Sequence, residues 1–342
     1  MQRAIARSFL AASVLGTLGA ASADHARAST VLTASNTVLV LDGESLATLA
    51  KIPVGAAVEE FAATPDGQRV FLSTSHGVLL LQGSTNRAQW SLSAPLTSRP
   101  VQSMALSPDG SALYVLDYAV REARTAERVP EEYRAHRIDT ASLAVSDLAS
   151  YDARVFDLAV AKTGGALFTL EKDAGELLVQ TSSSASPSRV ALAPGGNKSH
   201  GMYLRLVTDG AHGRLLLPQL GDPGKIWVID GATQSSTSWD LPKAGLPVRG
   251  AAISPDGSRL YLSALQTVCA LDARDGHALA WGSLDGAFQQ IAVSPDGASV
   301  YVTAPVYQKG GGVAKLRASD LSVEKVQETE EISPYAIVVL DR

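Results

Sequence analysis

One tetrapeptide restricts what this chain can fold into. Ser-Pro-Asp-Gly, or Thr-Pro-Asp-Gly, sits between two apolar stretches in "AATPDGQRVFLST" from Ala62, "ALSPDGSALYVLD" from Ala105, "AISPDGSRLYLSA" from Ala252 and "AVSPDGASVYVTA" from Ala292. Proline presets φ for the first central position of a tight turn, and aspartate suits the second. Glycine then accepts the left-handed conformation that closes a short hairpin. Two degenerate copies, at Gly164 in "AKTGGALFTL" and Asp209 in "VTDGAHGRLLL", bring the visible turns to six.

The turns recur every 40 to 55 residues or so, and helical periodicity is nearly absent. That period fits four-stranded blades and predicts an all-β fold, a β-propeller. The first full repeat reads as strands at Val58–Ala63, Val70–Thr74, Val78–Leu81 and Gln89–Leu92. "STVLTAS", "NTVLVLDGES" and "LATLAKIPV" near the N-terminus supply three strands without an inner partner. "SPYAIVVLD" at the C-terminus supplies one inner strand with nothing after it. Together they predict a seventh blade built from both chain ends, which removes the exposed sheet edges. A six-bladed ring and a two-sheet sandwich are the alternatives.

"MQRAIARS", then the apolar "FLAASVLGTLGAASA", has the order of a secretory signal, so residues 1–23 read as a signal peptide and 29–342 as one propeller domain. Periplasmic export follows as the expectation. Cys269 is the only cysteine, so no internal disulfide is available, and its place in "TVCALDA" predicts an inert buried thiol. A net charge of −5 without a basic stripe disfavours nucleic-acid binding.

Catalytic motifs are missing from the sequence. It holds no C-x-x-C-H for covalent haem, no H-E-x-x-H and no G-x-S-x-G. "GGGVAK" at Gly310–Lys315 lacks the ending of a phosphate loop and reads as a flexible hairpin. His76, His136, His200, His212 and His277 fall in different repeats without ligand spacing and read as turn or surface residues. No catalytic, metal or cofactor-binding residue is assigned.

Recognition in a propeller gathers on the face that carries the loops entering each inner strand. Three places there stand out. The insertion from Tyr118 to Arg137, with Arg121, Arg128 and Tyr133 among mixed charges, reads as a solvated loop with room for one helical turn, either a plain surface insertion or a docking arm. "PGGNKSHGMY" reads as a long loop with His200 and Tyr203 at its exit. The starts of inner strands add Arg99, Arg249 and Tyr335, with the two arginines placed either toward the channel, to meet an anionic or polar group, or toward solvent.

The hairpins, together with "LYV" at Leu113–Val115 and "VYVT" at Val300–Thr303, resemble the bacterial YVTN propeller repeat. "LDARDGHALA" and "LRASDLSVEK" are similar to its outer turns. "MALSPDGSALYVLDYAVREARTAERVPEEYRAHRIDTASL" and "VSPDGASVYVT…VAKLRASDLSVEKVQ" resemble, more narrowly, the β subunit of quinohemoprotein amine dehydrogenase. That resemblance implies a non-catalytic scaffold without a cofactor of its own. Its partners would be a subunit carrying haem c and a small subunit carrying a quinone made from Cys and Trp. A stand-alone exported propeller that binds a protein or cell-envelope ligand is the alternative.

Overall fold

The computed structural model describes residues 29–341 except 84–88, 121–129, 152–154, 162–165, 172–174, 182–186, 193–201, 221–223, 244, 284–288, 307–309 and 330–334. The segment read as a signal peptide and the Gly164 turn lie outside the described residues. Within them the chain forms seven antiparallel sheets. Blade 1 runs outward as Val58–Ala63, Arg69–Thr74, Gly77–Gly83 and Trp90–Leu92. Blade 2 is Val101–Leu106, Ala112–Val120, Pro130–Asp139 and Val145–Tyr151. Blade 3 is Val155–Val160, Leu167–Glu171, Glu176–Gln180 and Ser188–Ala191. Blade 4 divides its inner strand into Met202–Tyr203 and Val207–Asp209, followed by Arg214–Leu220, Lys225–Asp230 and Ser236–Asp240. Blade 5 is Val248–Ile253, Arg259–Ala264, Thr267–Asp272 and Ala278–Ser283. Blade 6 is Ile291–Val293, Ser299–Val306, Gly310–Arg317 and Val323–Glu328.

The seventh blade is the expected composite. Ala336–Leu340 forms its innermost strand and pairs with Thr30–Ala34, which continues outward to Thr37–Asp42 and Thr48–Pro53. The register joins Ala336 to Ala34 and Leu340 to Thr30. Neighbouring inner strands touch all the way round, so the seven sheets form a closed ring.

Packing explains why these strands are so apolar. The second and third strands of a blade are covered on both faces by its neighbours, so "TVLTA", "RVFLST" and "RLYLSA" are buried almost throughout instead of alternating in and out. Only outer strands such as Val145–Tyr151 and Val323–Glu328 are largely exposed. Seven apolar clusters result, one between each adjacent pair of blades. Phe168 and Leu170 of blade 3 meet Leu215 and Ile229 of blade 4, for example. Each fully buried Leu, Val or Phe there contributes about 1.5–3 kcal/mol.

The Pro-Asp-Gly turns are locked by side chains. Ser107 donates to Asp109 at 2.6 Å and accepts the Ala112 N–H at 2.9 Å, while Asp109 accepts the Ser111 N–H at 3.0 Å. Ser254 and Asp256, and Ser294 and Asp296, repeat this lock. The Ser107 hydroxyl holds Asp109 down to about 2, and the Ser254 hydroxyl does the same for Asp256. The turn glycines also touch the preceding blade: a Cβ on Gly257 would lie 2.5 Å from Asp209 Oδ1 and from His212 Nδ1. Tyrosines of second strands reach forward to the outer turn of the next blade. Tyr261 donates to the Ala318 carbonyl at 3.2 Å and Tyr301 to the Gly43 carbonyl at 2.7 Å.

Two expectations need correction. Gly310–Arg317 is a regular third strand, not a flexible hairpin, and its Lys315 is buried against Glu44 at 2.6 Å and Glu324 at 3.4 Å. Tyr118–Val120 and Pro130–Arg137 extend a long hairpin and are not loop. Tyr133 and Ala135 point into the blade core while Arg134 and Arg137 are half-exposed, so the mixed charge hid a strand alternation. Cys269 is 1% exposed and burial pushes its thiol up to about 12.

Two measurements check this packing. Gly257→Ala introduces both a left-handed alanine (φ 68°) and a clash, whereas at Gly245 (φ 67°) nothing lies within 4 Å. Thermal unfolding should show Gly257→Ala costing about 2–3 kcal/mol and Gly245→Ala about 1 kcal/mol. Cys269 should stay unreactive toward Ellman's reagent in native buffer and titrate fully in denaturant.

Candidate functional site

The inner strands do not enter the ring as regular strands. In blade 1 the pairing skips from Val58 to Glu60, in blade 2 from Val101 to Ser103, in blade 3 from Val155 to Asp157 and in blade 5 from Val248 to Gly250. In blade 6 the Gln289 N–H reaches the Thr303 carbonyl at 3.0 Å while the Thr303 N–H reaches the Gln290 carbonyl at 3.0 Å, so two residues again face one. Blade 4 spends Leu204, Arg205 and Leu206 between the pairs Tyr203–Gln219 and Val207–Leu216. Each is a β-bulge, which leaves an extra residue out of the ladder and re-aims its side chain. Buried hydroxyls support the irregular backbone: Thr303 Oγ1 accepts the Gln290 N–H at 3.1 Å.

Four of these bulge residues, Glu59, Phe156, Arg205 and Arg249, line one cavity of about 430 Å³ at the mouth of the central channel, together with Gln290, which follows the extra residue of blade 6. It sits at the inner-strand starts, on the face expected for recognition, and its size is within the usual range for small-molecule sites. A hollow of about 490 Å³ lies on the opposite face, between the turns of blades 5 and 6. Its polar groups are already engaged: Asp256 with Ser254, and Arg259 with the Ala318 carbonyl at 2.9 Å.

A buried polar network underlies the channel mouth. Arg205 Nη1 lies 2.5 Å from Glu60 Oε2, and Glu60 also accepts the Met104 N–H at 3.0 Å. Behind them Asp157 is 2% exposed and accepts the Ser103 hydroxyl and the Leu206 N–H. Burial, with the Glu60 charge adding to it, pushes Asp157 up to about 6 against the opposing pull of Arg205. Burial acts to lower Arg205, but the carboxylates of Glu60 and Asp157 outweigh it and hold the guanidinium above its ordinary value. These four groups tie blades 1 to 4 together around the channel.

A second network stiffens the long hairpin of blade 2. His136 lies 2.9 Å from Asp117 on one ring nitrogen and 2.9 Å from Asp147 on the other. It is 8% exposed, a correction to the expectation of a turn or surface histidine. The hydrogen bond to Asp117 raises its pKa, burial opposes this, and Asp147 adds to the rise.

The sequence-selected residues divide as follows. Arg249 lines the channel mouth. Arg99 turns instead toward blade 2, 3.5 Å from Glu132 and 3.8 Å from Asp117. Tyr118 and Tyr133 pack as a tilted pair (39°) at a centroid distance of 6.0 Å, Arg137 lies 4.0 Å from Asp139, and Tyr335 is exposed. Tyr203 belongs to the inner strand of blade 4, opposite Gln219. Arg121, Arg128 and His200 lie outside the described residues. Sequence reasoning missed Glu59, Glu60, Phe156, Asp157 and Arg205. Aligning the repeats by the valines Val58, Val101, Val155 and Val248 would have exposed the variable residue that follows each.

Among the described residues one cluster has metal-ligand composition, Asp272, Asp275 and His277 in the outer turn of blade 5. Arg274 already occupies Asp272 at 2.6 Å and His277 bonds Asp275 at 2.6 Å, so the cluster is accounted for as a turn. No helix among the described residues is long and apolar enough to cross a membrane.

The two networks predict separate pH windows. Asp157 is raised from 3.8 to about 6, so its contribution to stability is greatest below pH 4 and is lost as pH rises toward 6. His136 is raised above 6.5, so its contribution is complete below pH 6.5 and disappears as pH rises through its folded value. Denaturant unfolding across pH should show Asp157→Asn flattening the lower window only and His136→Gln the upper window only.

No protein-family model matches the sequence, and no curated protein is similar to it. Solved structures do share the fold. A functionally unknown protein from Desulfotomaculum acetoxidans DSM 771 matches with a TM-score of 0.68 at 11% identity, over 91% of this chain and 98% of that one. Apo AztD from Citrobacter koseri matches with a TM-score of 0.62 at 15% identity, over 93% of this chain and 99% of that one. The WD40 repeats of RRP9 match with a TM-score of 0.58 at 12% identity, over 82% and 83%. At these identities the likeness establishes that the chain is a β-propeller.

Proposed function

We propose that this chain is an exported, non-catalytic binding propeller that serves as the scaffold subunit of a periplasmic, quinohemoprotein-type amine dehydrogenase. Its channel-mouth face meets the partner subunits, which carry haem c and the Cys-Trp quinone. The blade 2 hairpin is the observation that carries this reading. In blade 1 the equivalent hairpin turns immediately after Thr74, opposite the start of its inner strand at Val58. In blade 2, Asp117 lies opposite Val101, yet the strands continue through Tyr118–Val120 and Pro130–Tyr133. The hairpin therefore projects past the rim on the channel-mouth side. Asp117, His136, Asp147 and the Tyr118–Tyr133 pair make it rigid at its base. Rigid outgrowths beside a channel mouth are suited to recognition, because little ordering entropy is lost on binding. The resemblance in the same blade supplies the kind of assembly.

The test is gentle purification of tagged protein from the periplasm of its own host, followed by sizing and visible spectroscopy. The expected result is a complex much heavier than the chain alone, with a haem Soret band and a small crosslinked subunit. A colourless monomer would contradict the scaffold reading. It would favour the second reading, a stand-alone exported propeller that binds a protein or cell-envelope ligand, which the channel-mouth cavity supports.

A further inference from the structure

From the bulge ring we infer that the channel mouth binds a small zwitterion whose ammonium and carboxylate are separated by an apolar body, as in a short peptide. Arg249 holds the carboxylate and Glu59 the ammonium. The argument starts from which charges are already satisfied. Arg205 is neutralised by Glu60 at 2.5 Å, with Asp157 behind it. Arg249 is exposed to the cavity and has no hydrogen bond or ion pair among the described residues. Glu59 is also exposed there and makes no hydrogen bond or close ion pair among the described residues; its contribution there is a longer-range attraction to Arg205. Among the described residues the cavity thus offers one free cation and one free anion.

Their placement sets the ligand's shape. Glu59 belongs to blade 1 and Arg249 to blade 5, three blades apart one way round the ring and four the other. They stand on nearly opposite walls, so a molecule with adjacent charges could not satisfy both. Phe61, Phe156, Ile291 and Ile337 line the same space and give the body of the ligand apolar cover.

The repeat itself separates scaffold from site. The valine before the bulge is the same in four blades, Val58, Val101, Val155 and Val248, and all four are at most 3% exposed. The bulge residue that follows is Glu59, Gln102, Phe156 or Arg249. A purely structural bulge asks nothing of that side chain, whereas a site requires different groups at different angles. This inference does not depend on the partner assignment, since it concerns the isolated chain.

Isothermal titration of the isolated protein with leucyl-leucine at neutral pH is the test, beside N-acetyl-leucyl-leucine and leucyl-leucinamide. The expected result is saturable one-to-one binding of the free dipeptide, weakened about ten-fold or more by either cap. Glu59→Gln should weaken the free dipeptide to a similar degree and no longer distinguish it from the acetylated form. Arg249→Gln should behave likewise toward the amide. Both side chains are exposed, so thermal unfolding of the variants should match that of the parent. No saturable binding at millimolar dipeptide, or binding that both variants leave unchanged, would overturn the proposal. So would a loss in one variant only, since a singly charged ligand needs only one of the two partners.

Discussion

Ring closure is the constraint on which everything else depends. A blade presents two apolar faces and cannot stand alone, so each of the seven clusters exists only because a neighbour covers it. The chain has one place to complete the circuit, the five-pair ladder between Ala336–Leu340 and Thr30–Ala34. Thr33 reinforces it from the side by donating to the Ala336 carbonyl at 2.9 Å. Without a disulfide, hydrogen bonds and packing must hold the two chain ends together.

Closure also creates the site. The channel mouth is lined by Ala336 and Ile337 of the closing strand together with residues from blades 1, 3, 4, 5 and 6. Blade 7 enters the ring with the same irregularity as the others: the Tyr335 N–H reaches the Ala34 carbonyl at 2.8 Å although Ala34 pairs with Ala336, so two residues face one. The inner strands of blades 1, 4 and 5 carry the charges, with the Glu60–Arg205 pair and Asp157 below them.

Much of this was readable beforehand, and for physical reasons. The Pro-Asp-Gly turn is a local event whose side chains bond only to residues within five positions, so its sequence signature survives in copy after copy. The composite blade was legible because three strands at one end and one at the other leave a single way to complete a sheet. The site was less legible. A bulge is defined by its partner strand, and nothing in "VEEFAA" or "VRGAAI" alone says that Glu59 and Arg249 leave the ladder. Arg205 and Glu60 lie far apart in sequence but meet in space. His136 misled because its two aspartates sit on flanking strands, and a lone histidine among charges reads as surface.

The most direct measurement is thermal unfolding of a chain ended at residue 334, alone and with a synthetic peptide of residues 335–342. The account predicts that the shortened chain loses its cooperative transition and exposes apolar surface to dye, and that the peptide restores both. A shortened chain that unfolds at the same temperature, with the same cooperativity as the parent, would contradict closure as the keystone of the fold.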